Sequence, residues 1–176
     1  MNYHFNTVFI LFKMVAISLA QKDGGKMKKY NDDYIDGRYV KPLIITDNFS
    51  LVGEHTGTIY IETGEFTLLG RLKGSLNIQK GATAEIIGKQ QGSVSIEAGA
   101  SVTVTGAIEG SATLERGGTL IIEEGAKLAG SLHNNGEVIL RGAFGGAQSG
   151  EGNLIIEDTG YIKEPIVKDG SHYYYW

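Results

Sequence analysis

The chain of 176 residues contains no cysteine and only two prolines. Without cysteine it forms neither disulfides nor thiolate metal sites. Cysteine content therefore does not indicate whether the protein resides in an oxidising or a reducing compartment. The formal net charge is −4 at pH 7, and such a balance gives no electrostatic basis for a nucleic-acid partner. No histidine pair has metal-ligand spacing, no serine lies in a nucleophile elbow and no glycine-rich loop ends in Lys-Ser/Thr. We therefore expect no cofactor, no metal and no enzymatic activity.

Long hydrophobic runs are also lacking. The longest, residues 8–20, is interrupted by Lys13 and is too short to span a bilayer. Three interpretations stay open for this region: a secretory segment, although Lys and Arg are missing before it, a short membrane-targeting stretch, or translated sequence upstream of a true start at Met27.

Glycine, in contrast, is abundant, with 26 residues, roughly twice its usual share. No Gly-X-Y period is present, which excludes a collagen helix. Apolar residues make up 41% of the chain and largely alternate with polar ones, which argues against disorder.

The glycines mark an internal repeat of 17 or 18 residues. A Gly-x3-Gly unit begins at Gly53, Gly70, Gly88 and Gly106. After each unit come a Ser or Thr and then two alternating apolar residues, a further glycine, and a second apolar pair. The first pairs are Ile59/Ile61, Leu76/Ile78, Val94/Ile96 and Ala112/Leu114, and the second are Phe66/Leu68, Ala84/Ile86, Val102/Val104 and Leu120/Ile122.

Alternation with a period of two predicts short strands with one buried face, and regularly spaced glycines predict corners between them. A unit this short cannot fold alone, so the repeat predicts an all-β, single-stranded β-solenoid in which equivalent residues stack as ladders. We expect Leu76 to lie on Ile59, Val94 on Leu76, and Ala112 on Val94. Since both hands accommodate eighteen residues, the period does not fix the handedness.

We expect about six coils of 17–18 residues over residues 42–165, flanked by an N-terminal tail (residues 1–41) and an aromatic C-terminal tail (residues 166–176). The pattern is regular from Ile44 to Leu114 and loosens after it. Residues Gly142–Gly152 (GAFGGAQSGEG) are predicted to form a loop that bulges from a corner.

The repeat resembles that of the bactofilins, polymer-forming bacterial cytoskeletal proteins. The resemblance covers residues 42–165 and rests on the motifs GSLNI at Gly74, GSVSI at Gly92 and GAIEGS at Gly106, with Gly-Ala at Gly81 and Gly99. It implies a right-handed β-helix with flexible tails that polymerises end to end without nucleotide. It also implies a cytoplasmic location, at the inner face of the membrane if residues 5–20 are the membrane-targeting stretch of some members. The irregular later coils, the Gly142–Gly152 segment and the aromatic C-terminus depart from the family pattern.

The ends of a solenoid expose unpaired strand edges and an open core. We therefore expect contacts with a second copy, or with one protein partner, at the two ends. The residues predicted for these contacts are Ile44, Phe49, Leu51, Leu154, Ile156, Ile162, Tyr173, Tyr174, Tyr175 and Trp176. The opposing interpretation is capping, with Tyr30, Tyr34 and Tyr39 over the first coil and the aromatic tail over the last.

Two other functions are compatible with the repeat. One is a small acidic binding or immunity protein that neutralises a partner through a solenoid face. The other is a hexapeptide-repeat acyltransferase, which also has an eighteen-residue coil and needs a histidine base. His133 is the better candidate base but is expected in a surface turn. His55 takes a corner position that holds Leu72, Gln90 and Ile108 in other copies, which indicates packing or surface rather than catalysis.

Overall fold

The computed structural model describes residues 30–176, and this part of the chain is all-β, with 25 strands and no helix. The expectations about residues 5–20 and about Met27 lie outside the described residues. Two antiparallel hairpins flank the coils: β1 (Asp33–Ile35) pairs with β2 (Arg38–Val40), and β24 (Ile166–Lys168) with β25 (Ser171–Tyr173).

Three parallel sheets of seven strands each lie between the hairpins, and every coil contributes one strand to each sheet. The first sheet contains β3 (Leu43–Ile45), β6 (Ile59–Ile61), β9 (Leu76–Ile78), β12 (Val94–Ile96), β15 (Ala112–Leu114), β18 (Leu132–Asn134) and β21 (Gln148–Ser149). The second contains β4 (Phe49–Leu51), β7 (Glu65–Leu68), β10 (Thr83–Ile86), β13 (Ser101–Val104), β16 (Thr119–Ile122), β19 (Glu137–Leu140) and β22 (Asn153–Ile156). The third contains β5 (Glu54–Thr56), β8 (Arg71–Lys73), β11 (Lys89–Gln90), β14 (Ala107–Ile108), β17 (Lys127–Leu128), β20 (Ala143–Phe144) and β23 (Tyr161–Ile162).

This topology confirms the β-solenoid, with seven coils rather than six. The predicted ladders are also confirmed, since Ile59 pairs with Leu76, Leu76 with Val94, and Val94 with Ala112. Their side chains are almost fully buried and belong to one continuous core. Burial of such ladders, at roughly 25 cal/mol per Å², is the main contribution that favours folding.

The residues between the glycines of the Gly-x3-Gly unit form the third strand of the coil. Leu72, Gln90 and Ile108 are inward-facing strand residues with no exposed surface. The prediction of a corner at this position was therefore wrong, although packing at this position is confirmed. The two glycines bracket a strand so short that only its middle residue points inward.

The glycines serve two different purposes. The glycine after the first strand, as at Gly81 and Gly99, has a positive φ of 81° or 77° that other residues adopt with strain. The glycines of the Gly-x3-Gly unit instead permit close approach of successive coils. A Cβ on Gly106 would lie 2.2 Å from the carbonyl oxygen of Gly88, which leaves no room for a side chain.

Residues Gly142–Gly152 do not bulge from the solenoid, so that prediction was wrong. They supply β20, β21 and the corners beside them, and Phe144 is buried in the core. The reason lies in the sequence, because Gly142 and Gly146 form a further Gly-x3-Gly unit with Phe144 at its centre.

Candidate interaction surfaces

The C-terminal end of the solenoid is open. Leu154 and Ile156 take the inward register positions opposite Val138 and Leu140, and Ile162 lies opposite Phe144. These partners are buried, whereas Ile156 is 50% exposed and Ile162 43% exposed. The apolar core therefore reaches the surface at this end, which agrees with the open-end alternative and not with capping.

The final coil also carries a polar residue that the sequence interpretation missed. Gln148 lies opposite the buried Leu132 in the first sheet, and it is exposed. A polar amide is compatible with an inward position here because the last coil has no further coil stacked on it and is in contact with water. The preceding ladder of apolar residues at this register, which ends at Leu132, is the signal that would have identified it.

The apolar side chains at the N-terminal end are less exposed than those at the C-terminal end. In the first coil Ile45 is 5% and Leu51 9% exposed, while Leu43 and Phe49 are half-buried. The ring of Phe49 stacks on that of Phe66, with centroids 6.4 Å apart.

Ile44 does not point into the core. The structure pairs Ile44 with Tyr60, and it pairs Leu43 and Ile45 with the buried Ile59 and Ile61. The sequence interpretation aligned Ile44 with Ile61 because it assumed a 17-residue step. The actual step is 16 residues, and a shift of one residue moves a side chain to the opposite face of a strand.

The N-terminal segment lies on the side of the solenoid. The Asp33 carboxylate accepts hydrogen bonds from the Thr58 amide at 2.6 Å and from the Thr58 hydroxyl at 2.7 Å. Tyr34 and Tyr39 are 66% and 77% exposed, so they do not cover the first coil. This excludes the predicted capping by these two residues.

Tyr30 anchors the same segment further along the flank. Its ring centroid lies 4.3 Å from that of Tyr60, its hydroxyl donates to the Glu62 carboxylate, and it accepts a hydrogen bond from Gln79 at 2.9 Å. Burial, together with the bond to Glu62, raises the pKa of Tyr30 to about 12.

The aromatic C-terminus also packs on the flank rather than over the last coil. Tyr174 donates a hydrogen bond to the carbonyl oxygen of Gly146 at 3.2 Å. The ammonium groups of Lys127 and Lys163 each lie 5.2 Å from the ring centroid of Trp176, a cation–π arrangement. The predicted capping by this tail was wrong, and residues 166–173 form the second hairpin beside the coils.

Tyr173 and Tyr175 remain on the surface of this flank. Their rings stack with centroids 6.4 Å apart, and they are 43% and 63% exposed. Ile166 and Val167 of the second hairpin are each 61% exposed. Both hairpins thus present apolar residues to solvent, and an isolated two-stranded hairpin in water is only marginally stable.

His133 lies on β18 rather than in a turn, and its side chain belongs to a polar cluster. Its Nδ1 is 2.9 Å from the Ser149 hydroxyl, and its Nε2 is 3.0 Å from the side-chain nitrogen of Asn135. The three residue types are those of a nucleophile, a base and an orienting group.

The hydrogen bonds of Asn135 orient its side-chain amide within this cluster. Its side-chain oxygen accepts from the backbone amide of Glu151 at 3.2 Å, so its NH₂ group faces the imidazole and donates to Nε2. His133 therefore accepts a hydrogen bond at Nε2, and its Nδ1 lies within hydrogen-bond distance of the Ser149 hydroxyl.

An open groove of about 370 Å³ lies beside this cluster. Glycine and polar residues line it, including Arg116, Thr119, Glu137 and Asn153. Aromatic and aliphatic walls are typical of small-molecule pockets, and the lining of this groove offers none.

No helix within residues 30–176 has the length and apolar character needed to cross a membrane. Over the same residues, no group of three or more His, Asp or Glu side chains is arranged to hold a metal ion. Comparisons with protein-family models, with curated proteins and with solved structures gave no match.

Proposed function

We propose that the protein is a structural, self-assembling scaffold of bactofilin type that associates through the ends of its solenoid without nucleotide. The observation that supports this most directly is the open C-terminal coil, where Ile156 and Ile162 are at core positions and yet are about half exposed. A single chain leaves this apolar surface and the unpaired edges of β21, β22 and β23 in water. Another solenoid end offers strand edges of the same geometry.

A membrane location through residues 5–20 remains part of the proposal. It concerns residues outside the described part of the chain, so it rests on the sequence alone. The solenoid is expected to assemble in the cytoplasm, and the N-terminal stretch would bring the assembly to the inner face of the membrane.

The test is assembly of the full chain in the absence of nucleotide. We expect concentration-dependent sedimentation and filaments in electron micrographs. The variant Ile156→Asp places a charge at the open end and should abolish assembly. Ile121→Asp is the matched control, because Ile121 is at an outward-facing position of β16, away from both ends.

Circular dichroism would show that both variants keep the β-solenoid. A strictly monomeric wild-type chain over a wide concentration range would refute the proposal. Equal assembly of Ile156→Asp and wild type would show that the open end is not the interface.

The exposed hairpin favours a second candidate function. Ile166, Val167 and Tyr175 offer an apolar flank for one protein partner, as an immunity protein would need. That function predicts a monomer or dimer that co-purifies tightly with one protein, and Val167→Asp should release it.

A further inference from the structure

We propose that the outer face of the third sheet, together with the C-terminal residue Trp176, is a docking face for an anionic lipid surface. Its occupant is a bilayer with acidic headgroups. The inference goes beyond self-assembly, because a single molecule carries the complete face, and it does not involve residues 5–20. We call this surface the basic face, and its cations are Arg71, Lys73, Lys89, Lys127 and Lys163.

Cations are distributed unevenly over the solenoid. Every lysine and arginine within the strands of the three sheets lies in the third sheet, in β8, β11 and β17. Lys163 directly follows β23, the last strand of that sheet. The acidic residues of these strands lie in the second sheet, with the exception of Glu54. A chain with a net charge of −4 thus presents one predominantly basic face.

The alternation of the strands directs these cations outward. Arg71 and Lys73 lie on either side of the buried Leu72 and are exposed. Lys89 precedes the buried Gln90, is exposed as well, and pairs in register with Arg71. Adjacent strands are about 4.8 Å apart, so the cations form closely spaced columns along the solenoid.

Two acidic residues lie on the same face. Glu54 is 2.7 Å from the ammonium group of Lys73, and Glu109 is 3.3 Å from that of Lys89. Both ion pairs are at the surface, where such pairs contribute little to stability. Arg71, Lys127 and the remaining cation of the face leave an excess of positive charge that an anionic surface would neutralise.

The acidic residues elsewhere do not cancel this attraction. Glu62, Glu97 and Glu115 follow strands of the first sheet, at the corner with the second sheet. Because each coil has three sides, this corner lies across the coil from the basic face. Packed sheets are separated by about 10 Å, and the Debye length at physiological ionic strength is about 8 Å. Repulsion between this corner and a surface that contacts the basic face is therefore largely screened.

Trp176 is fixed on the same face. The ammonium groups of Lys127 and Lys163 are each 5.2 Å from its ring centroid. A Cβ on Gly145 would lie 2.7 Å from Cζ2 of the ring, so the ring occupies space that a side chain would fill. Glu109 is at the equivalent position two coils earlier. The ring is nevertheless 46% exposed, so it is held in place and still presents a surface to a partner.

This combination of side chains favours a lipid partner. Tryptophan and tyrosine are enriched where a bilayer meets water, and lysine stems can lie along apolar surface while the ammonium groups reach the headgroups. Tyr173 and Tyr175, which are 43% and 63% exposed, extend the aromatic surface beside Trp176. An acidic polypeptide would neutralise the cations but offers no apolar layer to the half-exposed rings.

Binding of the full chain to vesicles tests the proposal. All measurements use a parent chain with Ile10→Asp and Leu11→Asp, which interrupts the apolar run of residues 8–20 and separates its contribution from that of the basic face. We expect the parent chain, at a concentration where it is monomeric, to sediment with phosphatidylcholine vesicles that contain about 30% phosphatidylglycerol. It should not sediment with phosphatidylcholine alone, and added salt should weaken binding.

Arg71→Gln combined with Lys89→Gln removes two cations from the basic face. Each cation near an anionic surface contributes roughly fivefold to binding, so we expect a loss of roughly twenty- to thirtyfold in vesicle affinity. Lys80→Gln combined with Arg116→Gln is the matched control, because it removes the same charge from exposed residues at the corner between the first and second sheets. It should bind as the parent chain does. Equal losses in both variants would overturn the proposal, since net charge rather than one face would then govern binding.

Trp176 is the only tryptophan of the chain, so its fluorescence reports on the basic face directly. We expect its emission to shift to shorter wavelength with anionic vesicles and to be quenched by lipids brominated in the acyl chains. Binding without either change would overturn the proposal, because another surface would then contact the lipid. Preferential binding of soluble polyglutamate would also overturn it and assign the face to an acidic polypeptide.

A parent chain that binds no anionic vesicle would overturn the proposal as well. The proposed function would be unaffected by that result, because filament formation and vesicle binding through residues 5–20 are measured separately on the wild-type chain. Conversely, a strictly monomeric wild-type chain would refute the scaffold and leave the basic face to be judged by the vesicle measurements alone.

Discussion

The side-chain amide of Gln90 donates a hydrogen bond to the carbonyl oxygen of Gly74 at 2.7 Å, in a column where Leu72 lies on one side and Ile108 on the other. Gln90 has no exposed surface, and its side-chain oxygen has no hydrogen-bond partner. A neutral amide is tolerated here because its NH₂ group is hydrogen-bonded. An ionised side chain at this buried position would not be tolerated.

We therefore predict that Gln90→Glu destabilises the chain strongly at neutral pH. The substitution keeps the shape of the side chain but places a carboxylate in an apolar column, which raises the pKa of the carboxyl in the folded state. The folded state then loses stability as the pH rises through the ordinary glutamate value of about 4.3. We expect a loss of about 3 kcal/mol or more at pH 7.5 and a smaller loss at pH 4.

Urea unfolding followed by circular dichroism at the two pH values measures this difference. Gln90→Leu, the residue found at the equivalent position 72, is the uncharged control and should show no such pH dependence. A Glu variant as stable as wild type at pH 7.5 would mean that water reaches this column.

The glycines between coils give a second prediction. In Gly106→Ala the new methyl group would lie 2.2 Å from the carbonyl oxygens of both Gly88 and Ile87. These are backbone atoms fixed by two neighbouring coils, so they cannot move aside easily. We expect a loss of about 3 kcal/mol in the free energy of unfolding.

Gly81→Ala is the matched control for this experiment. Gly81 has a positive φ, but a Cβ there would meet no atom within 4 Å. Its substitution should cost only about 1–2 kcal/mol, the cost of a left-handed conformation for alanine. If the two substitutions cost the same, conformation rather than close approach would explain the glycines of the repeat.

The repeat itself was sufficient to predict the solenoid and its ladders, because one regular copy determines the register of the next. It left open whether the coil ends are capped. The prediction of which residues point inward was wrong where the number of residues between equivalent positions changed. The 16-residue step in the first sheet moved Ile45, not Ile44, into the core. The Gly142–Gly146 unit was recognisable, but the surrounding glycines suggested a loop.

Other features of the surface depend on contacts between residues far apart in sequence. Nothing local indicates that Trp176 lies between Lys127 and Lys163, or that Asp33 binds Thr58. The orientation of the Asn135 amide toward His133 follows from a bond that joins Asn135 to Glu151, in a different coil. The period of the repeat does not specify such arrangements.

His55 gives the last prediction, since it is the histidine that occupies an inward position of the first coil, opposite Leu72. Its Nε2 is buried without a hydrogen-bond partner. Burial lowers the pKa of His55 below its ordinary value, and the nearby Asp33 carboxylate only partly opposes this effect. When the pH falls through about 6.5, the unfolded chain takes up the proton before the folded chain does. The free energy of unfolding therefore decreases on acidification and levels off below the folded-state pKa.

Replacement of His55 by Leu or by Gln removes this titration, and each residue already occupies the equivalent position of another coil, as Leu72 and Gln90. Urea unfolding of wild type and both variants at pH 8 and pH 5, at a concentration where the chain is monomeric, measures the effect. We expect the stability of wild type to fall more between these values than that of either variant. The two variants should agree with each other in their pH dependence even if their absolute stabilities differ. If all three chains lose the same stability on acidification, the pH dependence originates in other groups, and His55 is solvated in the folded state.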